Sequence, residues 1–135
     1  MKRILSVLLV CTMLATFAVS VFANDISLCN NNTANTSTDF VISGTGLAMV
    51  AYRYNGYPDV ATGATIEIKI EKRNLLFFWS EVVYEIISVS GECCDEVYTY
   101  QLSSKGTYRC TVTYSVYGMG GAADILPFER TVTYS

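Results

Sequence analysis

The chain has 135 residues, nine Lys and Arg against twelve Asp and Glu, a formal net charge of −3, and no histidine. The missing histidine removes the commonest general base, the usual partner of a Ser or Cys nucleophile, and the commonest zinc ligand. An acidic chain without a basic cluster is poorly suited to nucleic acid, whose binding needs Lys and Arg to displace counterions, and to anionic membrane surfaces for the same reason.

Lys2 and Arg3 precede a nearly charge-free apolar run over residues 4–22 that ends in Val21-Phe22-Ala23. A basic start, an apolar core and a small-residue cleavage site predict a secretory signal peptide over residues 1–23, cut after Ala23. A run of about twenty apolar residues can also span a bilayer, so a retained anchor is the alternative. The cleavage-site match and the polar sequence that follows favour removal and a secreted product with no membrane attachment. Processing leaves 112 residues, one domain's worth, with seven basic and twelve acidic side chains and a net charge of −5.

Residues 24–38 are rich in Asn, Thr and Ser, offer little to bury, and read as a flexible polar leader. Asn31-Asn-Thr33 and Asn35-Thr-Ser37 match the short and common glycosylation pattern. Residues 39–43 read as a first strand, and Gly44-Thr-Gly46 as a turn. Over residues 47–54, Ala48, Val50, Tyr52 and Tyr54 share one face, and Leu47, Met49, Ala51 and Arg53 the other. Asn55-Gly56 is a tight-turn signal, followed by a longer loop to Gly63. Residues 65–71 alternate Ile66, Ile68 and Ile70 with Glu67, Lys69 and Glu71, and Lys72-Arg-Asn74 turns the chain.

Residues 75–79 and 82–89 are apolar runs joined by Ser80-Glu81. A helix competes here, but the β-branched content of the second run favours strand. Residues 91–96 read as an acidic loop, 97–102 as a strand and 103–106 as a turn. The clearest strand starts at Thr107, with Tyr108, Cys110, Val112, Tyr114 and Val116 on one face. A flexible loop at residues 118–123 precedes Pro127, which opens a last strand over 128–134 with Phe128, Arg130, Val132 and Tyr134 on one face. Seven or eight short strands at this spacing predict an all-β, two-sheet antiparallel β-sandwich over residues 39–135.

The spacing of Leu102 and Tyr108, with Gly106 between them and Cys110 two residues on, resembles the tyrosine corner of immunoglobulin-like and fibronectin type III-like domains. Gly106-Thr-Tyr108-Arg-Cys110 is similar to the F strand of immunoglobulin domains. The chain departs from antibody domains in having no Cys across residues 47–54 and no Trp shortly after one. As a whole it resembles small secreted bacterial proteins. The resemblance implies a module that binds or interacts outside the cell.

Four cysteines remain after processing: Cys29, Cys93, Cys94 and Cys110. Four thiols allow three full pairings, and one of the neighbours Cys93 and Cys94 is better placed to pair with Cys110 or Cys29 than with the other. Cys110 reads equally well as a small buried apolar residue. Glu92-Cys93-Cys94-Asp95-Glu96 offers a thiol-dependent alternative, metal-binding or redox-active. Adjacent carboxylates raise thiol pKa values, however, and zinc sites space their cysteines more widely, so no metal or cofactor is expected. Tyr52, Tyr54, Tyr57 and Trp79 are the candidate binding residues, for a glycan or protein partner. No nucleophile elbow, phosphate loop or dinucleotide fingerprint is present, so the chain is expected to be non-enzymatic.

Overall fold

The computed structural model describes residues 30–75 and 77–135. The expected signal peptide, residues 24–29 of the expected leader, and Cys29 lie outside the described residues. Seven strands follow in order: β1 (Thr33–Ile42), β2 (Leu47–Gly56), β3 (Ala61–Arg73), β4 (Trp79–Ser90), β5 (Cys93–Gln101), β6 (Gly106–Gly118) and β7 (Asp124–Tyr134). All pairings are antiparallel, in a three-stranded sheet of order β1-β2-β5 and a four-stranded sheet of order β4-β3-β6-β7. The fold is the expected all-β sandwich.

Alternation builds the core. Ile66, Ile68 and Ile70 of β3 and Cys110, Val112, Tyr114 and Val116 of β6 face Phe40 of β1 and Ala48, Val50, Tyr52 and Tyr54 of β2. Each is nearly or completely buried. Burying one Ile or Val side chain contributes roughly 1.5–3 kcal/mol, so these positions dominate the stability of the domain. Tyr114 also bolts the sheets together: its hydroxyl lies 2.5 Å from the Thr38 hydroxyl and 3.1 Å from the Ser37 carbonyl, both on β1.

Several boundaries differ from the sequence reading. β1 begins at Thr33, inside the stretch expected to be leader, and pairs with β2 from Gly56 onward. Of the two apolar runs, 82–89 lies wholly in a strand, and 75–79 contributes only Trp79 to it. A hairpin turn precedes one continuous strand, β4, which carries a bulge at Val82 because Ile70 pairs with Val83 and Glu71 with Glu81. The expected acidic loop is short, since Cys93–Glu96 already pair with Tyr52–Asn55 in β5. Pro127 lies within β7 rather than before it, which an edge strand tolerates.

β4 and β5 are the open edges on one side of the sandwich. Glu85 of β4 sits opposite the core residue Ile68 yet remains exposed at that edge. Its charge, second to burial, raises the pKa of Tyr98 on β5. An inward-directed carboxylate of this kind discourages the edge from pairing with another chain.

At one end of the sandwich, Asp124 closes β1 onto the β6–β7 hairpin. Its carboxylate accepts the backbone N–H groups of Asn31 (2.9 Å), Asn32 (2.8 Å) and Thr33 (2.8 Å). The fully buried Asn32 side chain donates to the Val116 and Ala122 carbonyls and accepts from the Gly120 N–H. Gly118 has no room for a side chain, because a Cβ there would lie 2.4 Å from the Val60 carbonyl oxygen. Burial opposes ionisation of Asp124, but the N–H donors together outweigh it and hold the carboxyl below its ordinary value of 3.8. A lowered folded pKa gives stability that is complete above the unfolded value and is lost as pH falls through the folded one. Asp124→Asn is therefore expected to cost about 2 kcal/mol at neutral pH and less at pH 3, measured by urea denaturation. Equal destabilisation at both pH values would contradict this assignment.

Candidate functional site

The tyrosine corner lies at the opposite end, and it shapes a cavity there. Leu102 is buried and its N–H donates to the Gly46 carbonyl at 2.9 Å, which fixes where the chain leaves β5. Four residues before the buried Tyr108 is Ser104, whose carbonyl accepts the tyrosine hydroxyl at 2.5 Å. Gly106 has φ +151°, and a Cβ there would meet Lys72 Cε at 2.6 Å. The positive φ calls for a glycine, whereas the Lys72 tip is the end of a flexible side chain and can move aside. Lys72 pairs with Tyr108 across β3 and β6, lies 5.8 Å over its ring, and donates from Nζ to Ser104 Oγ at 2.7 Å. The corner thus fixes both a turn and a cation.

The β3–β4 turn forms the other wall. Asn74 N–H donates to the Phe78 carbonyl at 2.9 Å, Phe77 N–H to the Asn74 carbonyl at 3.1 Å, and Phe78 N–H to Asn74 Oδ1 at 3.0 Å. Closing the turn puts Phe77 at φ +64°, in the left-handed region that costs a side-chain-bearing residue about 1–2 kcal/mol. Phe77 is nonetheless 77% exposed and Leu75 99% exposed, so neither contributes to the core. The Arg73 guanidinium lies 5.8 Å from the Phe77 ring centroid. Between the two turns is a cavity of about 680 Å³ whose lining includes Lys72, Arg73, Leu75, Phe77, Lys105 and Gly106, together with Asn74, Ser80 and Thr107.

Charge distinguishes this cavity from the rest of the surface. Arg53 pairs with Asp95, Lys69 and Arg109 with Glu71, and Arg130 with Asp39. Arg109 donates to Glu71 Oε2 through Nε (3.0 Å) and Nη2 (2.7 Å). The remaining cations Lys72, Arg73 and Lys105 have no carboxylate partner among the described residues, and all three line the cavity, which contains no carboxylate. A basic cluster therefore exists where the sequence, read linearly, offers none.

The expected aromatic patch does not assemble. Tyr52 and Tyr54 are buried in the core, their hydroxyls donating to Glu96 Oε2 (3.1 Å) and the Gly91 carbonyl (2.5 Å). The same alternation that turns Ala48 and Val50 inward carries these tyrosines with them. Tyr57 is 43% exposed, at the end of the sandwich where β3 starts, whereas Trp79 pairs with Arg73 where β3 ends. Trp79 is half-buried and its ring is covered by the Arg109 guanidinium at 4.4 Å. Of the consecutive aromatics, Phe77 is the one presented at the cavity.

The thiols are likewise dispersed. Cys93, Cys94 and Cys110 are free. Cys93 is exposed and Cys94 packs against the core, so the two neighbours point to opposite faces of β5. Burial raises the Cys94 thiol pKa and pushes that of Cys110 up to about 12, which works against thiolate chemistry at either. Among the described residues no group of three or more Cys, Asp and Glu is placed to hold a metal ion.

The sequence matches no model of a known protein family, and comparison with curated proteins gives no significant match.

Phe77 is strained where glycine would not be. Phe77→Gly is expected to leave the fold as stable as the wild type or more stable by up to about 1 kcal/mol, read from urea denaturation. A loss larger than about 1 kcal/mol would instead make Phe77 a structural residue of the turn.

Proposed function

We propose that the chain is a secreted, non-enzymatic binding module that makes contact through the end of the sandwich formed by the β3–β4 and β5–β6 turns. The observation that carries this reading is the gathering of three unpaired cations with exposed Leu75 and Phe77 around one concave site. Elsewhere among the described residues the basic side chains are paired with carboxylates. A strained, exposed aromatic residue beside unpaired charges is costly to keep for stability alone, and such sites are characteristically functional.

The N-terminal pattern of Lys2 and Arg3, an apolar run and Val21-Phe22-Ala23 supports export. The bond from Tyr108 to Ser104 supports the likeness to immunoglobulin-like and fibronectin type III-like modules. The immunoglobulin constant arrangement puts the fourth strand in the sheet of the first, second and fifth. Here β4 pairs with β3, which favours the fibronectin-like branch of that likeness.

Two readouts test the proposal. Protein exported from a secreting host is expected to begin at Asn24 by intact mass. On glycan and peptide arrays, wild-type signals are expected to disappear in Lys72→Glu/Lys105→Glu. A chain that retains Met1 inside the cell, or array signals indifferent to those two charges, would overturn the reading.

A further inference from the structure

We infer that the cavity at the tyrosine corner takes a small organic anion, its carboxylate, sulfate or phosphate group held by Lys72, Lys105 and Arg73 and its apolar body resting on Leu75 and Phe77. This rests on the proposed binding role of this end of the domain and adds the chemical class of the ligand.

Three physical points lead there. The first is charge complementarity. The processed chain carries a net charge of −5, so its overall field repels anions. At physiological ionic strength the screening length is about 8 Å, and within that distance the cavity is dominated by its own side chains. Those are three cations and no carboxylate. The local potential is therefore positive although the molecule is acidic.

The second is fixation. Lys72 is not a free surface lysine, because its stem runs against Gly106, its ammonium lies over the Tyr108 ring, and Nζ is held by Ser104 Oγ. An ammonium has three donors, and one bond to a serine leaves two for a ligand. Lys105 stands on the same turn and has no ion-pair partner among the described residues. Little side-chain ordering is needed at Lys72 when an oxyanion arrives, which favours binding.

The third is the mixture of surfaces. Leu75 and Phe77 are exposed on the facing turn, and the turn geometry holds Phe77 there. A bare inorganic ion has no use for this wall, whereas an anion with an aromatic or aliphatic body covers it. The volume, about 680 Å³, falls within the range of small-molecule sites. Three cations are few for a phosphate backbone, which argues against nucleic acid.

The test uses the processed, isotope-labelled protein and three probes: naphthalene-1-sulfonate, the uncharged 2-naphthylmethanol, and sodium sulfate. Amide shifts in a nitrogen–proton correlation spectrum locate binding. Naphthalene-1-sulfonate is expected to give saturable shifts at Phe77, Lys105, Gly106 and Thr107, with a Kd on the order of 0.1–1 mM. Either other probe is expected to bind at least about tenfold more weakly, and Lys72→Gln/Lys105→Gln to weaken the sulfonate by a similar factor. Lys105→Gln alone guards against loss of fold, since it is exposed and its spectrum should match the wild type away from the turns.

Equal affinity for the uncharged probe would overturn the anion, and equal affinity for sulfate would overturn the organic body. Absence of saturable shifts, or shifts elsewhere, would overturn the site. Array binding that depends on Lys72 and Lys105 without a sulfonate response removes this ligand class and leaves the contact surface. A sulfonate response in a chain that is not exported does the reverse.

Discussion

The hydrogen bond from the Tyr108 hydroxyl to the Ser104 carbonyl ties the core to the end of the molecule proposed to bind. The ring belongs to the buried face of β6, while the carbonyl belongs to the turn that carries the chain from the three-stranded sheet to the four-stranded one. One bond therefore fixes where a crossing turn lies relative to both sheets. Gly106 allows Lys72 to come close, and Lys72 in turn covers the Tyr108 ring. Packing, turn geometry and the placement of a cation are the same arrangement seen from three sides.

The two ends of the sandwich use polar groups in opposite ways. At the Asp124 end polar groups are largely used internally: one carboxylate takes three backbone N–H groups and Asn32 serves three more backbone partners, while the buried Thr33 hydroxyl alone has no partner among the described residues. That end is closed. At the other end the β3–β4 turn satisfies its backbone through Asn74 but leaves charged and aromatic side chains facing outward. Satisfied polar groups rigidify a structure, whereas unsatisfied surface charge beside apolar side chains leaves something for a ligand to complete.

How much of this the sequence held depends on the length scale of each signal. β6 was legible because its alternation runs unbroken from Thr107, and the Ile66-Ile68-Ile70 face of β3 for the same reason. β1 was not, since Thr33–Thr38 looks like linker: its place in the sheet comes from ladder pairing and from polar partners on β6 and β7, Tyr114 and Asp124, about ninety residues or fewer away. Tyr52 and Tyr54 stand beside a loop that suggests a surface patch, yet their period-two register with Val50 turns them into the core. The cavity was hidden differently. Both of its turns, with Lys72, Arg73 and Lys105 on them, are legible in the sequence as turns. Their convergence depends on the register of Lys72 with Tyr108, which no local pattern encodes.

The central claim is that the tyrosine corner positions the proposed binding site as well as stabilising the fold. Tyr108→Phe isolates it, since the ring stays in the core and only the hydroxyl is lost. The variant is expected to fold with a stability loss of about 1 kcal/mol. The decisive measurement is its calorimetric affinity for naphthalene-1-sulfonate. The account predicts several-fold weaker binding, because Ser104 no longer holds the turn that carries Lys105 and anchors Lys72. Unchanged affinity in a folded Tyr108→Phe protein would contradict it.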